Sequence, residues 1–445
     1  MSTPVRVRVR MYQVGFGDCF LLSLEYDDPL PDGRSERHLL IDYGSTHSPQ
    51  DGRARGRMRD VAKLIAKHTG GQLDLVVLSH RHKDHLLGFS DDTGARTIRE
   101  LAPKLVLRPW SEDPDLDPDA SGPATPPPRD HPDDPDDSEP VGAASRRFAT
   151  RLIETQQAVG RLASRPGLDA GLKSAAEEHL KNADAIALLN ELSGQGRGRY
   201  LFAGADPDLG DTVPGLTMTV LGPPTIDQDP RVRKQVEDDD QFWLDALHTS
   251  LVAAASGAGD EHRPQHNVPI SPGPVRWLVD QLGDQKTHST ARLVRQLDDA
   301  LNNTSLILLL EIGGLSLLFP GDAQIENWQF TLDRFKKEPE LEQKLTAIDL
   351  YKVGHHGSRN ATPRSLHALW LARPDTLPRL TALMSTRPHV HGDTAATAVP
   401  RETLLTALRE VADLISTDDL DDGQAFVEVV ADATGGPFRR VAVKP

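Results

Sequence analysis

Three histidines and one aspartate lie within six positions of the sequence, directly after a short apolar run. The run, Leu-Val-Val-Leu at residues 75–78, is fully apolar and predicts a buried strand. The polar residues His80, His82, Asp84 and His85 follow at the turn that leaves this strand. Imidazole and carboxylate groups that converge at such a turn suit a Zn-like ion, which binds them at roughly 2.0–2.2 Å. The alternative is a solvated loop with chance histidines, which does not account for this placement.

The spacing of the four residues predicts two metal positions. His80 and His82 can point to one side of an extended turn, whereas Asp84 and His85 enter a helix and can point at a second position. In hydrolytic metal pairs the two ions lie about 3.5–4 Å apart. The segment therefore supplies the beginnings of a dinuclear centre.

The arrangement His80-x-His82-x-Asp84-His85 resembles the His-x-His-x-Asp-His signature of the metallo-β-lactamase superfamily. Further segments resemble motifs of that superfamily in the expected order: residues 12–21 with 39–44, residues 302–308 with 318–323, and residues 352–358. The last two are particularly similar to the soluble nuclease domain of ComEC-type DNA-uptake proteins. The resemblance does not cover two long insertions.

This resemblance implies a fold, a cofactor and a ligand set. The expected fold class is α/β, a four-layer αββα sandwich of two packed β-sheets with helices outside, and residues 1–445 form a single domain. The expected cofactor is two divalent metal ions, Zn or Mn. Asp322 would bridge the two ions. The expected metal ligands are His80, His82, Asp84, His85, Asp322 and His355.

The resemblance also implies catalytic residues. Asp84, with Asp322, would hold the nucleophilic oxygen. His356 either protonates the leaving group or only orients His355, and the sequence leaves both roles open. His391 best matches the histidine that ComEC-like relatives carry in the corresponding loop, although the surrounding spacing departs from their pattern.

Two other positions bear on the metal centre. Many superfamily members have a further ligand histidine after the strand predicted at residues 216–221, but Leu221-Gly-Pro-Pro224 contains none. The first metal is therefore left with His80, His82 and Asp322. Asp42, at the end of a predicted strand, either orients a ligand histidine or forms an Asx turn.

Composition restricts the class of protein. The chain has 445 residues, enough to bury a sizeable core, and its net charge of −16 argues against broad adhesion to nucleic acid or anionic membrane. The single cysteine, Cys19, excludes an internal disulfide and fits a reducing compartment. No apolar segment is long enough to span a bilayer, and the N-terminus has no apolar signal core. We therefore expect a cytoplasmic protein without a membrane partner.

Four segments carry further predictions. Residues 111–140 are acidic, rich in Pro and nearly free of apolar residues, which predicts a surface or disordered insertion. A second insertion, at about 225–300, is polar and predicted to be mostly helical. Residues 401–415 have helical spacing. The alternation of Val and Arg over residues 5–9 predicts a strand with one wet face, either a solvated edge strand or a basic stripe for nucleic acid.

Together these features predict a metal-dependent hydrolase, a phosphodiesterase or nuclease acting on nucleic acid or a nucleotide. The nucleophile would be a hydroxide activated by the dinuclear metal, because a metal pair lowers the pKa of bound water to about 7. One alternative is a hydrolase of a carboxylic ester, lactone or amide from the same superfamily. The other is a degenerate member that serves as a binding or scaffold module, against which the six intact ligand positions argue.

Overall fold

The computed structural model describes residues 2–49, 54–116, 123, 183–225, 227–229, 302–388, 390, 398–421 and 423–442. The larger parts of both predicted insertions lie outside these residues. His391, predicted to be catalytic, also lies outside them.

The described residues form fourteen strands and eight α-helices. The strands are Arg6–Tyr12 (β1), Cys19–Glu25 (β2), Glu36–Tyr43 (β3), Leu75–Val77 (β4), Leu105–Pro109 (β5), Gly198–Leu201 (β6), Leu216–Gly222 (β7), Ile307–Ile312 (β8), Leu315–Phe319 (β9), Leu350–Lys352 (β10), Leu380–Met384 (β11), Ala412–Ser416 (β12), Phe426–Asp432 (β13) and Arg439–Arg440 (β14). The helices are Ala54–His68 (α1), Lys83–Leu86 (α2), Asp92–Glu100 (α3), Ala183–Ser193 (α4), Ile325–Phe335 (α5), Pro339–Thr346 (α6), Arg364–Leu371 (α7) and Glu402–Val411 (α8).

The strands build two mixed sheets. The first has the order β14-β13-β1-β2-β3-β4-β5-β6, and the second has the order β12-β11-β10-β9-β8-β7. In the first sheet β3 to β6 run parallel, and in the second β9 to β12 do so. The remaining pairs are antiparallel, including the hairpin of β8 and β9, which turns at residues 313–314.

Side-chain alternation along each strand divides the apolar residues between two faces. In β3, Leu39 and Ile41 join a core that also contains Leu308 and Leu317 of the second sheet, so the two sheets pack against each other. Leu40 points the other way, into a second core.

Each sheet covers its outer face with helices. Leu40 and its neighbours in the first sheet pack on α1, α3 and α4 through residues such as Ile65, Ile98 and Leu189. The outer face of the second sheet packs on α5 to α8 through residues that include Trp328, Leu345, Leu366 and Leu408. The described residues are thus a mixed α/β structure with two sheets and flanking helices, which confirms the predicted α/β class.

Two predictions about single elements are wrong. The helix predicted over residues 401–415 ends at Val411, and residues 412–416 form β12 instead, because they pair in parallel with β11. The strand predicted as a solvated edge, β1, lies between β13 and β2. Its arginines are paired with carboxylates: Arg8 lies within ion-pair distance of Glu25 and Glu428, and Arg10 lies 2.7 Å from Glu428.

The first predicted insertion begins inside the folded part of the chain. Trp110 and Glu112 lie in a short 3-10 helix after β5, and both are buried. Leu116 packs against Trp110. The folded part therefore extends through residue 116.

Candidate metal centre

The predicted site residues follow neighbouring parallel strands at the ends where these strands finish. In the first sheet Ile41 of β3 pairs with Val77 of β4, so Asp42 and Ser79 lie at one edge. In the second sheet the ends of β9, β10 and β11 lead to Asp322, to the segment 354–357 and to Ser385. Carboxyl ends of parallel strands are where α/β proteins assemble their sites, and here the two sheets bring two such ends together.

Four side chains converge between the two sheets. One ligand atom from each of Asp84, His85, Asp322 and His356 lies within 4.8 Å of every other. Oδ2 of Asp322 lies 3.0 Å from Nε2 of His85 and 3.4 Å from Nε2 of His356, while Oδ2 of Asp84 lies 3.0 Å from the same His356 atom. His85 and His356 are fully buried. The group therefore combines two carboxylates and two imidazoles, one of each from either sheet.

The other two histidines of the first motif lie beside this group. The rings of His80 and His85 are 4.2 Å apart between their centroids. Nε2 of His80 lies 2.9 Å from Nδ1 of His82. The structure thus brings His80 and His82 together next to the four converging residues but not into their contact set.

The late motif forms a tight left-handed turn. His355 and His356 have φ values of 41° and 51°, in the region that residues other than glycine rarely adopt. This turn sends the His356 ring into the converging group, while His355 stays partly exposed. The backbone N–H of His355 donates a hydrogen bond to Oδ1 of Asp322 at 3.0 Å. The geometry therefore favours His356 over His355 as a ligand.

Acceptors on the far side of each imidazole fix its orientation. Asp42 accepts from Nδ1 of His85 at 2.8 Å, and it also accepts from the backbone N and Oγ of Ser79, at 2.7 and 2.6 Å. The carbonyl of Ser385 accepts from Nδ1 of His356 at 2.9 Å. Because each Nδ1 donates, each Nε2 is presented to the centre as a potential ligand atom. Asp42 thus makes the contact that the orienting interpretation requires.

Two charged residues at the site were not predicted from the sequence. Lys352 is buried in β10, and its Nζ donates to the Gly321 carbonyl at 3.0 Å, lies 3.3 Å from Oδ1 of Asp322 and forms an ion pair with Asp18. Asp18 precedes β2 and is also buried. The sequence does contain a signal for Lys352, because a lysine within a mostly apolar segment that predicts a strand is costly to bury unless it is paired.

Two glycines allow the chain to close around the first motif. A Cβ on Gly44 would lie 2.4 Å from the carbonyl carbon of Asp84, and one on Gly17 would lie 2.6 Å from the Asp84 oxygen. This close approach lets the Asp18 N–H donate to the Asp84 carbonyl at 2.9 Å. The loops before β2 and after β3 therefore hold Asp84 and His85 in place through backbone contacts.

A buried ion-pair network supports the turn from the other side. Nη2 of Arg81 and Nη2 of Arg108 approach the same Oε2 of Glu112 at 2.8 and 3.1 Å. Arg108 also donates to Oδ1 of Asn190 in α4 at 2.6 Å. Arg81 separates His80 from His82 in the sequence, so this network ties the first motif to β5 and α4.

The electrostatics of the group favour bound positive charge. Burial disfavours ionised carboxylates, but His85 and His356 outweigh it and hold the pKa of Asp84 and of Asp322 well below the usual range. Burial likewise lowers the pKa of His356, yet Asp322 and Asp18 raise it to about 10. Asp322 and Asp42 similarly raise the pKa of His85 against the effect of its burial. The carboxylates are thus anionic and stabilise cations between them.

This donor set fits a divalent metal ion. Imidazole nitrogens and carboxylate oxygens are ligands of Zn²⁺ and also of Mn²⁺. The buried His and Asp groups could therefore hold a metal ion, with the anionic charge and the oriented Nε2 atoms that metal binding requires.

Asp18, Asp42 and His85 form a second group with converging donor atoms. Contacts already occupy it, because Asp18 pairs with Lys352 and both oxygens of Asp42 accept hydrogen bonds. The first group is therefore the stronger candidate for a metal ion.

Comparisons with known proteins add no assignment: no family model matches the chain, and no curated protein sequence does either. Among the described residues, no helix has the length and apolar character needed to cross a membrane.

Proposed function

We propose that the chain is a metal-dependent hydrolase of the metallo-β-lactamase superfamily and that it cleaves a phosphodiester in nucleic acid or in a nucleotide. The observation that carries the hydrolase proposal is the convergence of Asp84, His85, Asp322 and His356 between two sheets. Support for a phosphodiester comes from the resemblance of residues 302–323 and 352–358 to ComEC-type nuclease domains. The two packed sheets with outer helices agree with the four-layer αββα architecture of that superfamily.

In this proposal two divalent ions, Zn or Mn, occupy the centre. Asp84, His85 and His356 would hold one ion, His80 and His82 would hold the other, and Asp322 would contribute to both. Bound metal supplies Lewis acidity and makes water acidic enough to act as a nucleophile near neutral pH.

The chain's own residues orient and shield the reaction. Asp42 and the Ser385 carbonyl fix the two buried imidazoles, so that neither can rotate away from the centre. Phe16 covers His356 with a ring-centroid distance of 4.3 Å and keeps water from that side. His355 remains partly exposed beside Asp322, where its imidazole can meet a substrate oxygen or a leaving group.

An activity screen with a matched pair of variants tests the proposal. Purified protein loaded with Zn²⁺ or Mn²⁺ is assayed on a p-nitrophenyl phosphodiester and linear DNA, with a lactone and a β-lactam as comparison substrates. We expect phosphodiester cleavage that chelation abolishes. Asp322→Asn should lose at least about a hundredfold in kcat, because removing an electrostatic contact to the reacting centre typically costs that much.

The control variant is Asp413→Asn, an exposed aspartate that pairs with Arg379 near the start of β12, at the end of the strand opposite the centre, and it should keep full activity. Hydrolysis of the lactone or β-lactam without phosphodiester cleavage would instead favour a hydrolase of carboxylic esters, lactones or amides. Bound metal without hydrolysis of any substrate would favour a binding module.

A further inference from the structure

The two carboxylate oxygens of Asp322 face different partners. Oδ2 faces the Nε2 atoms of His85 and His356, at 3.0 and 3.4 Å. Oδ1 faces away from them, toward Nζ of Lys352 at 3.3 Å and the backbone N–H of His355 at 3.0 Å. Oδ2 is therefore directed at the other members of the metal-binding group, which consists of Asp84, His85, Asp322 and His356, and Oδ1 is held by two donors.

We propose that Lys352 is a positioning residue that restricts Asp322 to offering a single oxygen, Oδ2, to the metal centre. This inference rests on the proposed metal centre and defines how its shared carboxylate binds. A carboxylate with both oxygens available can chelate one ion, whereas a carboxylate with one oxygen committed leaves a coordination position open for water or substrate.

The surroundings of Lys352 prevent its ammonium group from moving away. Lys352 is 2% exposed, and Asp18 and the Gly321 carbonyl complete the contacts of its ammonium group. The space beside it is a cavity of about 10 Å³, lined by polar groups that include Asp42 and Ser79 and by apolar side chains such as Phe20 and Leu308. Such a volume holds at most about one water molecule, so the ammonium has no second position to occupy.

Lys352 also separates Asp18 from the metal-binding group. Without a buried cation beside it, the Asp18 carboxylate would be a further uncompensated charge within 3.7 Å of Nδ1 of His85. A buried carboxylate without a partner would attract an ion to the wrong side of His85. The pairing with Lys352 therefore directs metal to the side on which Asp84 and Asp322 lie.

Substitution of Lys352 and Co²⁺ spectroscopy test this proposal. Lys352→Met keeps an unbranched side chain only one atom shorter but removes the charge and the donor. We expect the variant to bind Co²⁺ with weaker visible absorption bands than the wild-type chain, because a second oxygen of Asp322 raises the coordination number. In the hydrolysis assay kcat should fall by about 10- to 100-fold, the usual effect of losing a group that orients a ligand, with KM little changed. Lys344→Met is the matched control, since Lys344 is half-exposed and pairs with Glu311, and it should alter neither the spectrum nor kcat.

A double variant keeps the test valid if Lys352→Met does not fold. Asp18→Asn combined with Lys352→Met replaces the buried ion pair by neutral residues, a change that folded proteins often tolerate. The spectrum should change in the double variant and stay like the wild type in Asp18→Asn alone, where Lys352 still holds Asp322.

The possible outcomes separate this inference from the proposed function. A wild-type spectrum in the double variant, with hydrolysis present in the wild-type chain, would overturn the role of Lys352 and leave the hydrolase intact. The expected spectral change in a chain that hydrolyses no substrate would support the role of Lys352 and refute the hydrolase. Absence of Co²⁺ binding by the wild-type chain would overturn both.

Discussion

The imidazoles of His85 and His356 each have one nitrogen held by an acceptor and the other presented to the carboxylates of Asp84 and Asp322. For His85 the acceptor is the Asp42 carboxylate, and for His356 it is the Ser385 carbonyl. A carboxylate is the stronger of the two acceptors, because the charge strengthens the hydrogen bond and the basicity of the opposite nitrogen. His85 should therefore depend on Asp42 more than His356 depends on Ser385.

Substitution of Asp42 by Asn tests this dependence. An amide keeps the shape of the side chain but cannot accept from both Ser79 and His85 with the strength of a carboxylate. We expect metal affinity to fall by about 10- to 100-fold, measured by competition with a chromogenic chelator. Asp74→Asn is the control, a buried aspartate at the opposite end of β4 that pairs with Arg34 and should keep its metal affinity. Equal losses in both variants would indicate general destabilisation instead.

For single residues, the sequence predicts the residue types at the centre better than their individual roles. The placement of His80, His82, Asp84 and His85 after a buried strand follows from local pattern, and the structure brings all four close together. Which of His355 and His356 enters the centre depends on a left-handed turn that no side-chain pattern specifies. The pairing of Asp18 with Lys352 joins residues more than three hundred positions apart, so it becomes visible only in the folded chain.

The elements around the centre are packed at backbone distance. Gly44 follows β3 and lies against the backbone of Asp84 and His85, at the start of α2. A side chain of any size at this position would push α2 away from β3 and displace both candidate metal ligands, Asp84 and His85, together. Glycine is thus needed here for close approach and not for an unusual dihedral angle.

We expect Gly44→Ala to lower metal affinity at least tenfold and to lower the melting temperature as well, because the added Cβ would lie 2.4 Å from the Asp84 carbonyl carbon. Isothermal titration with Zn²⁺ and thermal unfolding measure the two effects. Gly194→Ala, after α4, is the control: its Cβ would lie 3.1 Å from the nearest atom, and metal binding should not change. Unaltered metal binding in Gly44→Ala would show that α2 is not held by this contact.

Sequence patterns also predict most elements near the centre and miss those that depend on distant partners. The hairpin β8–β9 and the strand β4 are largely apolar runs that end at polar or turn residues. In contrast, Leu414 and Ile415 continue the helical spacing of α8, yet parallel pairing with β11 makes them a strand. β1 looks like an edge strand because its outer neighbour, β13, comes from the other end of the chain.

At the scale of the whole molecule, the centre lies where the two sheets meet. Asp84 and His85 follow the first sheet, whereas Asp322 and His356 follow the second. Opposite charges hold the sheets together at this edge, and a metal ion there would bind both at once. A ligand that binds only the folded state stabilises it in proportion to its affinity and concentration.

The metal-free chain should lose stability as the pH rises through the neutral and alkaline range. Asp322 and Asp18 outweigh the burial of His356 and raise its pKa from its ordinary value near 6.5 to about 10, and the pKa of His85 is also raised. When the folded-state pKa exceeds the unfolded one, protonation stabilises the fold fully below pH 6.5, and this contribution is lost as the pH rises toward 10. Bound metal replaces these protons, so the loaded chain should not lose stability in the same window.

The difference in melting temperature between metal-loaded and chelator-treated protein should therefore widen steadily from pH 6.5 to pH 9. Thermal unfolding followed by circular dichroism at several pH values in this window measures it. His356→Gln, which cannot take up the proton, should flatten the pH dependence of the metal-free chain, while His68→Gln should not, because burial lowers the pKa of His68 to about 4 and leaves it neutral throughout the window. Parallel curves for the loaded and metal-free forms would mean that protons and metal ions do not compete for this centre, and the electrostatic account of how the two sheets are joined would then be wrong.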